Sequence, residues 1–209
     1  MISKSFEFKK ININNYNYYL FYGENNGLKN EIIEVYFKNR FKGNYYNYEE
    51  GVIIKNKDNF FDEILTRSFF EEEKLIIINE ATSKIIPIIE ELIEKKIHDI
   101  FVILISGKLE KKSKLRNMFE KNKNTICVPF YLDNYQTLFY KIDSFFKEKK
   151  IPISSEITNA IINRSNGDRL HLKNEMAKIS TKNDPTHSKS RVFNFIWVYP
   201  QKDFDSLFL

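Results

Sequence analysis

Between Leu20 and Ile32 the chain reads LFYGENNGLKNEI, an aromatic segment followed by Gly23, Gly27 and Lys29 at nearly the spacing of a phosphate-binding loop. Such a loop has the form G-x-x-x-x-G-K-[ST]: backbone N–H groups wrap the phosphates, the lysine meets the outer ones, and the hydroxyl binds magnesium. Here the second glycine arrives one residue early, Leu28 stands before the lysine, and Asn30 replaces the hydroxyl. The displacement carries Lys29 about 100° round the first helical turn. An amide is a poor magnesium ligand beside a triphosphate. Hydrolysis also needs acidic groups at the end of a neighbouring buried strand. In KLIIINEA, Asn79 occupies the metal-organising position and Glu80 stands alone. With both chemical centres eroded, no catalytic residue, metal or cofactor is expected. Gly23 and Gly27 then serve the strand-to-helix turn. The competing reading is a weak nucleotide-binding switch or NTPase.

These groups need a scaffold of buried strands and crossover helices. Candidate strands are YYLFYG from Tyr18, NYYNY from Asn44, KLIIIN from Lys74, IFVILIS from Ile100 and TICVPF from Thr125. Their apolar runs do not alternate with polar residues, as expected of parallel strands buried on both faces. Helical spacing runs through about 28–39, 59–67, 84–95 and 111–121. The expectation is an α/β fold, a three-layer sandwich around a parallel five-stranded sheet, over residues 1–132.

A small domain of three helices is expected over 133–180. The first spans about 134–149, with Leu138, Ile142, Phe145 and Phe146 on one face. Ser154 is a suitable N-cap for the second, Gly167 can close it, and Asp168 can cap a third bearing Leu172, Met176 and Ile179. Residues 181–209 are polar and breaker-rich at first and then aromatic without sustained periodicity, an atypical tail that reads as a strand pair, a partly disordered segment or frame-shifted sequence foreign to the rest of the chain.

Two further clusters could meet partners. Ser68, Phe69 and Phe70 lie between Thr66-Arg67 and the acidic run Glu71 to Glu73, so the aromatic pair is either an exposed anchor or a cover for the sheet edge. Lys108, Lys111, Lys112, Lys114 and Arg116 form a basic run. It reads as a solvated helix face, with Leu109, Leu115, Met118 and Phe119 turned inward, or as a contact for DNA phosphates or a neighbouring subunit.

Composition narrows the class. The formal charge of +5 and pI near 9.0 suit an acidic partner. Abundant Lys, Asn, Ile, Phe and Tyr also follow from A/T-rich codons, so charge alone leaves nucleic-acid binding open. One cysteine cannot form an internal disulfide, and His98, His171 and His187 lack metal-ligand spacing. The apolar runs are too short for a bilayer and residues 1–10 do not resemble a signal peptide, so no membrane association and a cytoplasmic location are expected.

Four stretches in order, FYGENNGLKNEI, SFFEEEKLIIINEA, SGKLEKKSKLRNMFEK and RSNGDRLHLKNEMAKI, resemble the delta subunit family of the bacterial DNA polymerase III clamp loader. The resemblance covers about Tyr18 to Ile179. It implies an AAA+-like fold with a degenerate P-loop and no ATPase chemistry, followed by a lid-type helical domain. It further implies a subunit of a DNA-directed DNA polymerase holoenzyme that acts in DNA replication. Such a subunit binds the ring-shaped sliding clamp (the beta subunit) and opens it. The gamma/tau and delta prime subunits are the implied loader partners, and primed DNA is reached indirectly or weakly. Family members touch the clamp through a short S-hydrophobic-F segment, which here is Ser68-Phe69-Phe70. The family also carries a helical collar domain, for which a chain ending at Leu209 leaves no room; a truncated or frame-shifted reading frame is the expectation.

Overall fold

The computed structural model describes residues 3, 5, 8, 11–41, 45–66, 73–97 and 99–182. These divide after Leu132 into two compact units. In the first unit five strands, β1 Tyr18–Gly23, β2 Tyr45–Glu49, β3 Lys74–Asn79, β4 Ile100–Ser106 and β5 Thr125–Phe130, form one sheet in the order β2-β3-β4-β1-β5. All pairings are parallel, with Tyr18 opposite Val102 of β4 and Thr125 of β5. The chain therefore leaves β1 in the interior of the sheet for the β2 edge, and crosses β1 again between β4 and β5.

Period-two alternation sends each strand's residues to two cores. Tyr18, Leu20 and Tyr22 of β1 face one way, with Ile76, Ile78, Val102 and Leu104. That face is covered by helices α3 Glu50–Lys55, α4 Lys57–Leu65, α5 Ile86–Glu94 and α6 Lys114–Lys121, through residues such as Ile53, Phe60, Ile89, Leu115 and Phe119. Tyr19 and Phe21 face the other way, with Leu75, Ile77, Ile103 and Val128. There the cover is Phe8 and one helical stretch: α1 Asn26–Ile32, a π-helical turn Ile33–Lys38, and α2 Asn39–Phe41. Phe21, Phe37 and Tyr19 meet as edge-to-face rings with centroids 4.8–6.1 Å apart, a geometry favoured by the ring quadrupoles. Burial on both faces explains the unbroken apolar runs of β3 and β4. Pro129 is tolerated because β5 is the edge strand of the described sheet, paired with β1 on one side only.

The architecture is the expected α/β three-layer sandwich with a parallel five-stranded sheet, followed by three helices. Helix α3 was not expected. Its EGVIIK carries a glycine and three β-branched residues, all weak helix formers, and it is held by burial of Ile53 and Glu50.

In the second unit, α7 Tyr135–Glu148, α8 Ser155–Ser165 and α9 Arg169–Lys182 enclose Leu138, Ile142, Phe146, Ile161, Ile162, Leu172 and Met176. Asn134 caps α7 in a reciprocal box with Thr137, and the Ser154 hydroxyl accepts the Ile157 N–H to cap α8. The residue that ends α8 in the left-handed conformation is Asn166, φ 47°, with Gly167 following at φ 76°. Asparagine is one of the few residues that tolerate this region. The Asp168 carboxylate accepts the His171 N–H at 2.7 Å, fixing the start of α9. A nearly buried ion pair joins the start of the unit to the start of α9: Arg169 Nε and Nη2 donate to the two Asp133 carboxylate oxygens at 2.6 and 2.7 Å. Among the described residues no helix is long and apolar enough to cross a membrane.

Candidate functional site

The strand-to-helix turn after β1 is built around Gly23. Its φ of +124° excludes other residues in practice, and a Cβ there would lie 2.2 Å from the Phe130 carbonyl oxygen. Gly27, by contrast, is the second residue of α1 and serves no special backbone conformation. Asn25 caps that helix: its Oδ1 accepts the Leu28 N–H at 3.0 Å while its Nδ2 donates to the Tyr131 carbonyl at 3.0 Å.

A phosphate loop works through N–H groups left free to point at the ligand. In this turn most of them are used internally. The Gly23 N–H donates to Gly107, Asn25 to Phe130, Asn26 to Glu24, and Lys29 to Asn25, at 2.9–3.3 Å. The Lys29 side chain completes the closure. It is 1% exposed, and its Nζ donates to the carbonyl oxygens of Gly23 and Ser106, each at 2.9 Å. Burial holds its pKa below the ordinary lysine value, because the charged form loses hydration. The lysine that would meet a phosphate in an NTPase here joins the ends of β1 and β4. Asn30 is exposed on α1.

The closure continues along the C-terminal rim of the sheet. Ser106 Oγ donates to the Ala81 carbonyl at 2.7 Å, and the Ala81 N–H donates to Ile105 at 2.9 Å. Beside them, the Thr82 N–H and hydroxyl donate to the buried Glu50 carboxylate at 2.7–3.0 Å. The ends of β1, β4 and β3 and the start of α3 are thus linked by side-chain bonds. Asn79 ends β3, and Glu80 follows in a left-handed conformation, φ 54°, exposed. Because β4 lies between β1 and β3, the two eroded centres stand two strand spacings apart, roughly 10 Å. Among the described residues no group of three His, Cys, Asp or Glu side chains could hold a metal.

The basic run separates into two kinds of residue. Lys108, Lys111, Lys112 and Lys114 are exposed in the loop before α6 and at its first turn. Arg116 is not: its Nε donates to Glu120 at 2.5 Å, and its guanidinium lies 5.2 Å from the Tyr22 ring centroid. Leu115 and Phe119 are fully buried, and Leu109 and Met118 pack against the same core, as the helical spacing implies. Ser68, Phe69 and Phe70 lie outside the described residues.

Ser106, Glu50 and Thr82 carry the rim but are not marked by the phosphate-loop pattern. The available signal was position: Ser106 is the polar residue that ends the apolar run IFVILI, and Glu50 directly follows the β2 segment.

Comparison with solved structures finds the DNA clamp loader delta protein of Bacillus subtilis, at a TM-score of 0.55 and 17% identity, covering 79% of this chain and 53% of that one. The likeness is one of fold, and the chain spans about half the length of that protein. Domain III of the Thermotoga maritima replication initiation protein DnaA also aligns, at a TM-score of 0.42 and 13% identity, over 85% of this chain and 81% of that one. A search of curated proteins finds no match. Residues 19–130, from β1 to the end of β5, match the family described as DNA polymerase III, delta subunit. That stretch includes the turn closed by Lys29, the Asn79-Glu80 strand end and the basic loop, and the chain accordingly belongs to the DNA polymerase III delta subunit family.

Proposed function

We propose that the chain acts as a clamp-loader subunit that binds and opens the sliding clamp, with no ATPase chemistry of its own. The observation that carries this reading is the inward Lys29, which uses its ammonium on Gly23 and Ser106 instead of a phosphate. Family membership over residues 19–130 supports the loader role. In this reading residues 1–132 are the AAA+-like arm, residues 133–180 are the lid-type domain, and ATP is hydrolysed by gamma/tau subunits assembled with delta prime. Ser68, Phe69 and Phe70 supply the clamp anchor, and primed DNA is engaged indirectly or weakly. Each phenylalanine buried in a partner's apolar pocket contributes roughly 1.5–3 kcal/mol.

The test is the affinity of the chain for its sliding clamp. Replacing Phe69 and Phe70 together by Ala should weaken the complex at least about tenfold, since 1.4 kcal/mol is a factor of ten. Unchanged affinity in a variant whose circular dichroism and unfolding midpoint are intact would remove the anchor from these residues.

A further inference from the structure

Lys29 closes the α1 side of the β1 end, while the α6 side of the same strand end stays open. In open parallel sheets ligands gather outside the carboxyl ends of the strands, where the strand order reverses. Here that place is β1, flanked by β4 and β5. A cavity of about 110 Å3 lies there, lined by Tyr22, Lys108, Leu109, Arg116, Phe130 and Tyr131 among others. The size is comparable with the roughly 150 Å3 core cavity that admits benzene, so it seats one flat ring and not a whole nucleotide.

Three features define what such a cleft would take. Tyr131 is 74% exposed, so its ring is available for stacking. The Arg116 guanidinium is fixed against Tyr22 by Glu120, which makes it a rigid planar wall of the kind that stacks on a base. Lys108 lines the cavity, Lys111, Lys112 and Lys114 follow it, exposed, in the same loop and at the start of α6, and Lys112 meets Glu110 only at 4.0 Å with both side chains in solvent. Four cations exceed what one phosphate requires and suit a strand of phosphates. Glu24, which also lines the cavity, disfavours a phosphate inside it and leaves the base as the inserted part.

We infer that this cleft binds single-stranded DNA, with one base between Tyr131 and the Arg116–Tyr22 wall and the flanking phosphates along Lys108, Lys111, Lys112 and Lys114. An aromatic platform beside a basic track is how sequence-tolerant single-strand binding is achieved, and a paired, stacked base cannot enter. The choice of DNA over RNA rests on the reading of the chain as a replication subunit; the cleft and its test need no clamp, so the two can fail separately.

The experiment is fluorescence anisotropy of a labelled 12-nucleotide thymidine strand with the full chain, between 50 and 200 mM salt. Affinity should fall with salt, and Tyr131→Ala should weaken binding at least about fivefold, the lower end of one base-stacking contact, while Tyr131→Phe retains it. Lys111→Ala with Lys112→Ala should lower the log–log salt slope by about 1.4, near 0.7 per phosphate contact on a single strand. Absent binding, indifference to Tyr131→Ala, or equal affinity for a duplex of the same length would overturn the inference, and equal affinity for the RNA strand would overturn the assignment to DNA.

Discussion

The Lys29 ammonium donates to the Ser106 carbonyl across 77 residues of sequence, at 2.9 Å, and to Gly23 at the same distance. Lys29→Ala should therefore destabilise the first unit by about 2–4 kcal/mol. It empties a buried volume and leaves two carbonyl oxygens at the strand ends without their donor. Urea unfolding measures this. The same closure predicts no saturable micromolar binding of ATP and magnesium in calorimetry; such binding, lost in Lys29→Ala, would restore the nucleotide-switch reading.

Two glycines should respond oppositely to alanine. Gly23→Ala places a Cβ 2.2 Å from backbone at a positive φ, and should cost more than about 3 kcal/mol or prevent folding. Gly51 lies in α3 with nothing within 4 Å of its Cβ position. Gly51→Ala should raise stability by about 0.5–1 kcal/mol, because it restricts the unfolded chain without crowding the folded one. Thermal melts of both variants report the contrast.

The helical unit depends on the Arg169–Asp133 pair, whose side chains are 11% and 4% exposed. Asp133→Ala takes the bidentate carboxylate from a nearly buried guanidinium and also removes an acceptor of the Thr137 hydroxyl. The expected loss is about 3–5 kcal/mol. Helix content lost at lower temperature in the variant is the readout, and an unchanged melting profile would contradict it.

Alkaline pH should destabilise the first unit. Burial pushes the Cys127 thiol from 9.0 up to about 12 and the Tyr18 hydroxyl from 10.0 up to about 12. The unfolded chain releases these protons near pH 9 and 10, whereas the folded chain keeps them until about 12. Above pH 9 the unfolded state therefore binds fewer protons, so stability is complete below pH 9 and falls as the pH rises towards 12. Lys29, with its pKa lowered, acts in the opposite sense below 10.5 and offsets part of the loss. Cys127→Val should delay the onset by removing the component that begins at pH 9. Urea midpoints between pH 7 and 11 test the sign.

Much of the fold is legible in the sequence because both faces of the sheet are buried. KLIIIN and IFVILIS can be little else than interior parallel strands, and their bounds match β3 and β4. Helix α3 escapes because Gly51 and the Val52-Ile53-Ile54 run argue against helix locally, and only tertiary burial of Ile53 and Glu50 decides it. The departures from the phosphate-loop pattern are also readable: the short spacing and Asn30. The new role of Lys29 is not, because its partners belong to two strands brought together only by the sheet order. Arg116 reads as one of five similar cations until the fold sets it on Tyr22 with Glu120 as its partner.

Cys127 lies in β5 with no solvent-accessible surface, and it is the chain's only thiol. A maleimide reagent at neutral pH should leave it untouched, so a single cysteine introduced on the surface becomes the one reactive point. Dyes for distance measurement can then be placed one at a time, for instance through Lys111→Cys in the loop before α6 or Tyr140→Cys on α7, without first removing the native residue.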